Sequence, residues 1–240
     1  MENVGESNLR NSEFKNKFTR EKLLHKLVGK NDPIVFDIGA HEGQSIVFFS
    51  KLFPQAHIYS FEPDPVSFNS LSNIEIPNLK LENYALSDNI GETSFYRNGI
   101  SHTNSLYKVN HESKDSISIS IAKSENNSSF FEGLNQEIKV KTTTLDYYID
   151  SKSISQIDLL KIDVQGAEIK VLNGAISTLS KTKCVILEIS FYDYYESQSS
   201  FMDIEKILIP IGYKLYSISE ISNNPMNGRT DWVEVIYLKQ

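Results

Sequence analysis

The sequence predicts an α/β fold: a mostly parallel, Rossmann-like sheet of seven strands, with an antiparallel edge hairpin and helices on both faces. Three observations carry this. Short apolar runs bounded by Gly and Pro alternate with amphipathic stretches, the pattern of strands buried on both faces by crossover helices. The last two apolar runs are joined by a polar Asn/Pro/Gly loop alone, and strands without a crossover pair antiparallel. The 240 residues are 40% hydrophobic and 11% aromatic, enough to fill one core in a chain that buries roughly 70 to 75% of its unfolded surface.

The elements follow in order. Phe14, Phe18, Leu23, Leu24, Leu27 and Val28 are spaced for one amphipathic helix over 14–28, ended by Gly29. Residues 1–32 then read as a helical extension ahead of a domain spanning 33–240. Strands are predicted at 33–38 and 56–61, around a tight turn at 39–43 and a helix at 44–53 stopped by Pro54. The beat continues with a helix at 64–74, strands at 79–84 and 157–162, a helix at 168–179 and a strand at 184–189. A helix at 201–208 precedes the edge hairpin, with strands at 213–218 and 232–238. Between Arg97 and Gln136 the beat is lost in a Ser-, Asn-, Lys- and Glu-rich segment around the alternating run 116–121. That segment reads either as an extra edge hairpin or as a lid that grips the substrate.

Charge and composition exclude several classes. Lys and Arg total 24 against 31 Asp and Glu, a net charge of −7, and the lysines are scattered, so nucleic acid is not the expected partner. The single cysteine, Cys184, permits neither an internal disulfide nor a cysteine-based zinc cluster and suits a reducing compartment. No apolar run approaches the roughly 18 residues of a membrane helix, and the first 20 residues lack a secretory apolar stretch. A soluble, cytoplasmic protein with no membrane partner is expected. Oligomeric state is not encoded in these patterns.

Open parallel sheets bind ligands beyond the carboxyl ends of their strands, and the chemistry-bearing residues fall there. Asp37 closes the first strand, and the turn Gly39-Ala40-His41-Glu42-Gly43 lets a ligand lie on backbone. Glu62 closes the second strand, an acid placed to accept two vicinal ribose hydroxyls. The turn is not G-x-G-x-x-G, no Walker phosphate loop occurs, and Asp37 beside the turn would repel phosphates. A cationic, phosphate-free nucleoside fits better, which favours S-adenosylmethionine over NAD.

Five motifs then stand in order: Asp37-Ile-Gly-Ala-His-Glu-Gly43, Phe61-Glu-Pro-Asp64, Asn83-Tyr-Ala-Leu-Ser-Asp88, Thr144-Leu-Asp146 and Leu160-Lys-Ile-Asp-Val-Gln-Gly-Ala-Glu168. Together they resemble the FkbM family of S-adenosylmethionine-dependent methyltransferases, over about 33–238. His41 stands where the family usually has Asn. The resemblance implies a class I methyltransferase sheet, S-adenosylmethionine as methyl donor and O-methylation of a small-molecule or glycan hydroxyl, often on a sugar or secondary metabolite. It places Asp37 and the turn 39–43 against the methionine part, Glu62 against the ribose, and Ala85, Leu86 and Ser87 against the adenine, with Ser45, Pro63, Asp64 and Asp163 also among the cofactor-binding residues. Asp163 would stand closest to the transferred methyl.

Asp163 is the leading catalytic candidate, with His102 and Glu188 as alternates. Its competing role is to cap the following helix. Asp163, Glu188 and a nearby acid could offer magnesium its preferred oxygen ligands, but no spacing argues for zinc and no obligatory metal is expected. Phe191, Tyr192, Tyr194 and Tyr195 suit either stacking on a sugar or ordinary packing. Cys184 and Trp232 are expected in the core, and Asp146 at a helix start. The rival functions are a nicotinamide-dependent oxidoreductase on the same sheet and a catalytically silent nucleoside-binding module.

Overall fold

In a computed structural model, which describes residues 4–116, 133–225 and 227–240, the chain forms three layers around a seven-stranded sheet. The strands are β1 (Ile34–Ile38), β2 (His57–Phe61), β3 (Leu79–Glu82), β7 (Ile157–Ile162), β8 (Thr182–Ser190), β9 (Tyr213–Asn223) and β10 (Thr230–Lys239). Their order is β3-β2-β1-β7-β8-β10-β9. Neighbours from β3 to β8 are parallel, and β10 runs antiparallel to both β8 and β9. This is the predicted sheet with its edge hairpin.

The helices are α1 (Val4–Lys17), α2 (Arg20–Val28), α3 (Gln44–Leu52), α4 (Pro65–Leu71), α5 (Leu145–Ser151), α6 (Glu168–Asn173), α7 (Ile176–Ser180) and α8 (Phe201–Leu208). One sheet face, with Val35, Ile58, Leu159, Cys184 and Ile186, packs under Leu24 and Val28 of α2 and Phe49 of α3. The other, with Phe36, Leu160, Val185 and Val235, carries Tyr148 of α5, Leu172 of α6 and Ile204 of α8. Burial on both faces explains why β7 has no exposed residue and why Cys184 is fully buried. Among the described residues no helix is long and apolar enough to cross a membrane.

Two predicted helices are each split. The helix expected over 14–28 breaks after Lys17, because Thr19 takes extended backbone and its hydroxyl caps α2 by accepting from Lys22 N. The helix expected over 168–179 breaks at Gly174. There Asp146, on the first turn of α5, accepts from the backbone N–H groups of Ser177 and Thr178. Asp146 therefore caps α7 from a neighbouring helix, while Thr144 caps α5 itself; apolar periodicity does not see a cap supplied from outside the segment.

A second sheet, in the order β4-β6-β5, was not foreseen. Its strands are β4 (Ala85–Leu86), β5 (Gly91–Arg97) and β6 (Gln136–Thr143), and β5 and β6 pair antiparallel from Gly91 opposite Thr142 to Arg97 opposite Gln136. The segment from Arg97 to Gln136 thus connects two paired strands. Of the run 116–121 only Ser116 is described; 117–121 lie outside the described residues.

Gly174 fixes how the second sheet sits on the first. A Cβ there would come within 2.0 Å of the Ser87 carbonyl oxygen, so backbone meets backbone beside β4. Gly174→Ala should therefore destabilise the fold by about 2 kcal/mol or more, read as a lowered midpoint in thermal or urea unfolding.

Candidate active site

At the carboxyl ends of the parallel strands lies a cavity of ≈ 760 Å³, within the usual range for a small-molecule site. One sheet face explains its polarity. Beneath α2 and α3 that face is apolar, but each strand turns polar at the rim: Val35 gives way to Asp37, Ile58 to Ser60, Leu159 to Lys161 and then Asp163, and Ile186 to Glu188. Because β10 is antiparallel, its starting end supplies Trp232 and Glu234 to the same rim.

The centre is Lys161, buried on β7. Its Nζ lies 3.0 Å from Asp163 Oδ2 and 3.8 Å from Asp37 Oδ1 on the adjoining strand. Burial alone would lower the lysine pKa, but these carboxylates raise it above the ordinary value, so the ammonium stays charged. Burial alone would likewise raise Asp163, yet Lys161 and the Gln165 side-chain amide hold it below the usual range. Gln165 Nε2 donates to Asp163 Oδ1 at 2.9 Å and to Glu188 Oε1 at 3.5 Å. The Tyr195 hydroxyl lies 3.0 Å from Gln165 Oε1, which orients the amide. Glu188 has the opposite environment: burial, then the charges of Asp163 and Glu168, push its carboxyl well above the ordinary value. The two carboxyls are thereby shifted in opposite directions. Asp163 does not cap the following helix; Ala167 occupies that position.

On the β1–β2 side, Glu62 Oε2 accepts from His41 N and Oε1 from Asp64 N, both at 2.8 Å. Burial pushes its carboxyl up to about 7, against the pull of those two bonds. His41 has φ of 48°, a left-handed conformation in which Asn and His are both enriched. The exchange of Asn for His at this position therefore keeps the turn. Its Nε2 lies 2.9 Å from Ser101 Oγ, and its ring meets that of His102 with centroids 6.5 Å apart. Gly39 is required by close approach: at φ 88°, a Cβ would sit 1.9 Å from the Asp163 carbonyl oxygen.

The expected residues divide between the cavity wall and its support. Gly39, Ala40, His41, Glu42 and Ser45 line the cavity, as do Glu62 and Pro63. So do Ala85 and Leu86 on β4, His102, Asp163 and Glu188. Asp37 has no exposed surface and lies under the turn, accepting from the Ser45 and Ser60 hydroxyls. Gly43, Asp64 and Ser87 also stand behind the wall. Asp64 caps α4 and holds Arg97 and Asn104, while Ser87 donates to Asp88.

Trp232, expected in the core, lines the cavity instead, because the antiparallel course of β10 carries its first residues to the rim. Tyr192 and Tyr194 line it too, Tyr195 is buried behind Gln165, and Phe191 is exposed. Lys161 and Gln165 stood in the last of the five motifs without an assigned role, and Arg20, Glu220 and Glu234 were not among the expected residues. A signal existed for two of them: Lys161 and Glu234 are charges interrupting otherwise apolar strands. Among the described residues no group of three or more His, Cys, Asp or Glu is placed to hold a metal ion.

Glu168 yields a stability test. It is buried behind the cavity, accepts from Gly166 N, and burial raises its carboxyl from 4.5 to about 7. A carboxyl whose pKa rises on folding stabilises most fully below its unfolded value and loses that contribution as pH climbs through its folded value. Glu168→Gln should therefore flatten the fall in melting temperature between about pH 5 and pH 8, measured by calorimetry.

Comparison with known proteins agrees with this geometry. The methyltransferase FkbM domain matches residues 37–215. The chain is 32% identical over 183 residues to the 2-O-methyltransferase NoeI of Sinorhizobium fredii, covering 74% of this chain and 71% of that protein. It is 25% identical over 163 residues to the hexuronic acid methyltransferase AglP of Haloferax volcanii, covering 67% of this chain but 57% of that one. In fold it is similar to the crystal structure of methyltransferase FkbM from Methylobacillus flagellatus KT, with a TM-score of 0.50 at 14% identity over 87% of this chain and 44% of that one. With the family's domain matched over most of its length, on the sheet and strand-end cavity that the geometry builds, this chain belongs to the FkbM methyltransferase family.

Proposed function

We propose that this protein is an S-adenosylmethionine-dependent O-methyltransferase acting on a hydroxyl of a sugar, glycan or secondary metabolite. One observation carries the reading: a single cavity gathers the Glu62 carboxylate, the apolar wall of Ala85, Leu86 and Phe95, and the Asp163–Glu188 pair. Each oxygen of Glu62 accepts one backbone N–H, which leaves each a lone pair for one of two vicinal hydroxyls. The apolar wall suits a flat aromatic base. The acids around the turn suit a cationic nucleoside better than a pyrophosphate. An oxygen acceptor on a sugar-like molecule is supported by the names of the two relatives.

When bound, the cofactor supplies a methyl group made electrophilic by a positive sulfur. The remaining work belongs to the chain. Holding the acceptor oxygen in line at roughly 3 to 3.5 Å from the methyl carbon can supply about 7 to 11 kcal/mol of the barrier. Asp163, kept ionised by Lys161 and Gln165, is a weak base but a good acceptor for orienting a hydroxyl. Glu188, with its raised pKa, is the stronger base once deprotonated. In this reading the base role moves from Asp163 to Glu188, whose carboxylate takes the hydroxyl proton as the acceptor oxygen bonds to the methyl carbon and the carbon–sulfur bond breaks to leave a neutral thioether.

S-Adenosylhomocysteine should raise the melting temperature by mass action while NAD leaves it unchanged; no shift with the former would overturn the reading. With labelled S-adenosylmethionine and a panel of hydroxylated glycans and metabolites, Glu188→Gln should lower kcat by about 10²-fold or more. It should also abolish the loss of rate as pH falls through the raised Glu188 pKa. Asp163→Asn should bind the cofactor nearly normally and lose turnover.

A further inference from the structure

Away from the Glu62 end, the cavity wall is a row of acids set by strand register. Glu188 on β8 stands directly opposite Glu234 on β10, which in turn stands opposite Glu220 on β9. Asp163, just beyond the end of β7, begins the row. The described wall contains two side chains of permanent positive charge, Lys161 and Arg20, and both are committed. Lys161 is held by Asp163 and Asp37. Arg20, reaching down from α2, makes a two-point contact with Glu234 at 2.7 and 2.5 Å and lies 3.6 Å from Glu220. Its guanidinium also rests 4.4 Å from the centroid of the Phe48 ring, which fixes it further. Even with Glu62 and Glu188 protonated, Glu42, Asp163, Glu220 and Glu234 remain against those two cations.

Among its described residues such a wall has hydrogen-bond acceptors for hydroxyls and ammonium groups but no uncommitted Lys or Arg for a carboxylate or phosphate. An anionic acceptor would lose its hydration and meet like charge, the repulsive element by which sites reject a wrong partner. Trp232 and Tyr192 line the same wall, and aromatic rings suit the face of an uncharged pyranose ring. We infer that the acceptor is a neutral or cationic glycosyl group, and that uronic acids and phosphorylated sugars are disfavoured. This rests on the O-methyltransferase reading above and sets the chain apart from its hexuronic acid-modifying relative.

The test uses calorimetry on protein saturated with S-adenosylhomocysteine and three probes that share one ring: methyl glucoside, its 2-amino-2-deoxy analogue and methyl glucuronoside. The first two should bind, and the glucuronoside at least about tenfold more weakly, the gap narrowing as salt screens the row. Glu220→Gln, at the most exposed member of the row, should narrow the gap several-fold. Equal or tighter binding of the glucuronoside overturns the inference, as does failure of all three probes to bind the loaded protein. Failure of S-adenosylhomocysteine itself to bind would instead bring down the reading on which the inference rests.

Discussion

The buried ammonium of Lys161 is the constraint on which the site depends. A charge inside a sheet is tolerated only when paired and hydrogen-bonded, and here the partners come from two adjacent strands, Asp37 on β1 and Asp163 just beyond β7. Removing one partner of such a cluster typically costs about 3 to 5 kcal/mol, because the other charge is left stranded. The cluster therefore ties the carboxyl ends of β1 and β7 together where the Gly39 turn passes over the Asp163 carbonyl. It also sets protonation. Asp163 is held below the usual carboxylate range, and its negative charge adds to burial in raising the Glu188 carboxyl.

The same sheet face serves two purposes without a change of backbone. Under α2 and α3 its side chains are aliphatic and packed, and the strands are rigid because both faces are covered. Within two residues of the rim the same strands carry Asp37, Ser60, Lys161, Glu188 and Glu234. Polar groups on rigid strand ends hold their geometry better than groups on loops. The segment after β5 closes the cavity through Ser101, His102 and Leu106. It is fastened to the sheet by Ser105 Oγ, which donates to the Gln165 carbonyl, and by Tyr195, whose hydroxyl also lies 3.0 Å from the Thr103 carbonyl oxygen.

Much of this was legible in the sequence because burial leaves a local trace. The apolar runs of β1, β2, β7 and β8, the punctuation by Gly and Pro, and the acids at strand ends are all properties of neighbouring residues. Where a feature depended on a distant partner, the local reading failed. The break at Gly174 depends on Asp146 capping from another helix. Trp232 was assigned to the core because a strand pattern does not reveal which end of β10 meets the rim. Asp37 was placed against the ligand because it ends β1, whereas the side chain points under the turn toward Ser45, Ser60 and Lys161. The sheet formed by β4, β5 and β6 escaped notice because β4 has two residues and β5 pairs with a strand some forty residues later.

By itself the sequence determined the α/β architecture, the position of the site at the strand ends and the family, since hydrophobic periodicity and contiguous motifs are written along the chain. Tertiary structure alone decided which charges meet. Arg20 and Glu234 are 214 residues apart, and Glu188, Glu234 and Glu220 become neighbours only once strand order and register are set. Electrostatic energy depends on distance in space and on burial, so the opposite shifts of Asp163 and Glu188, and the acidic wall they begin, come into being only when the sheet closes.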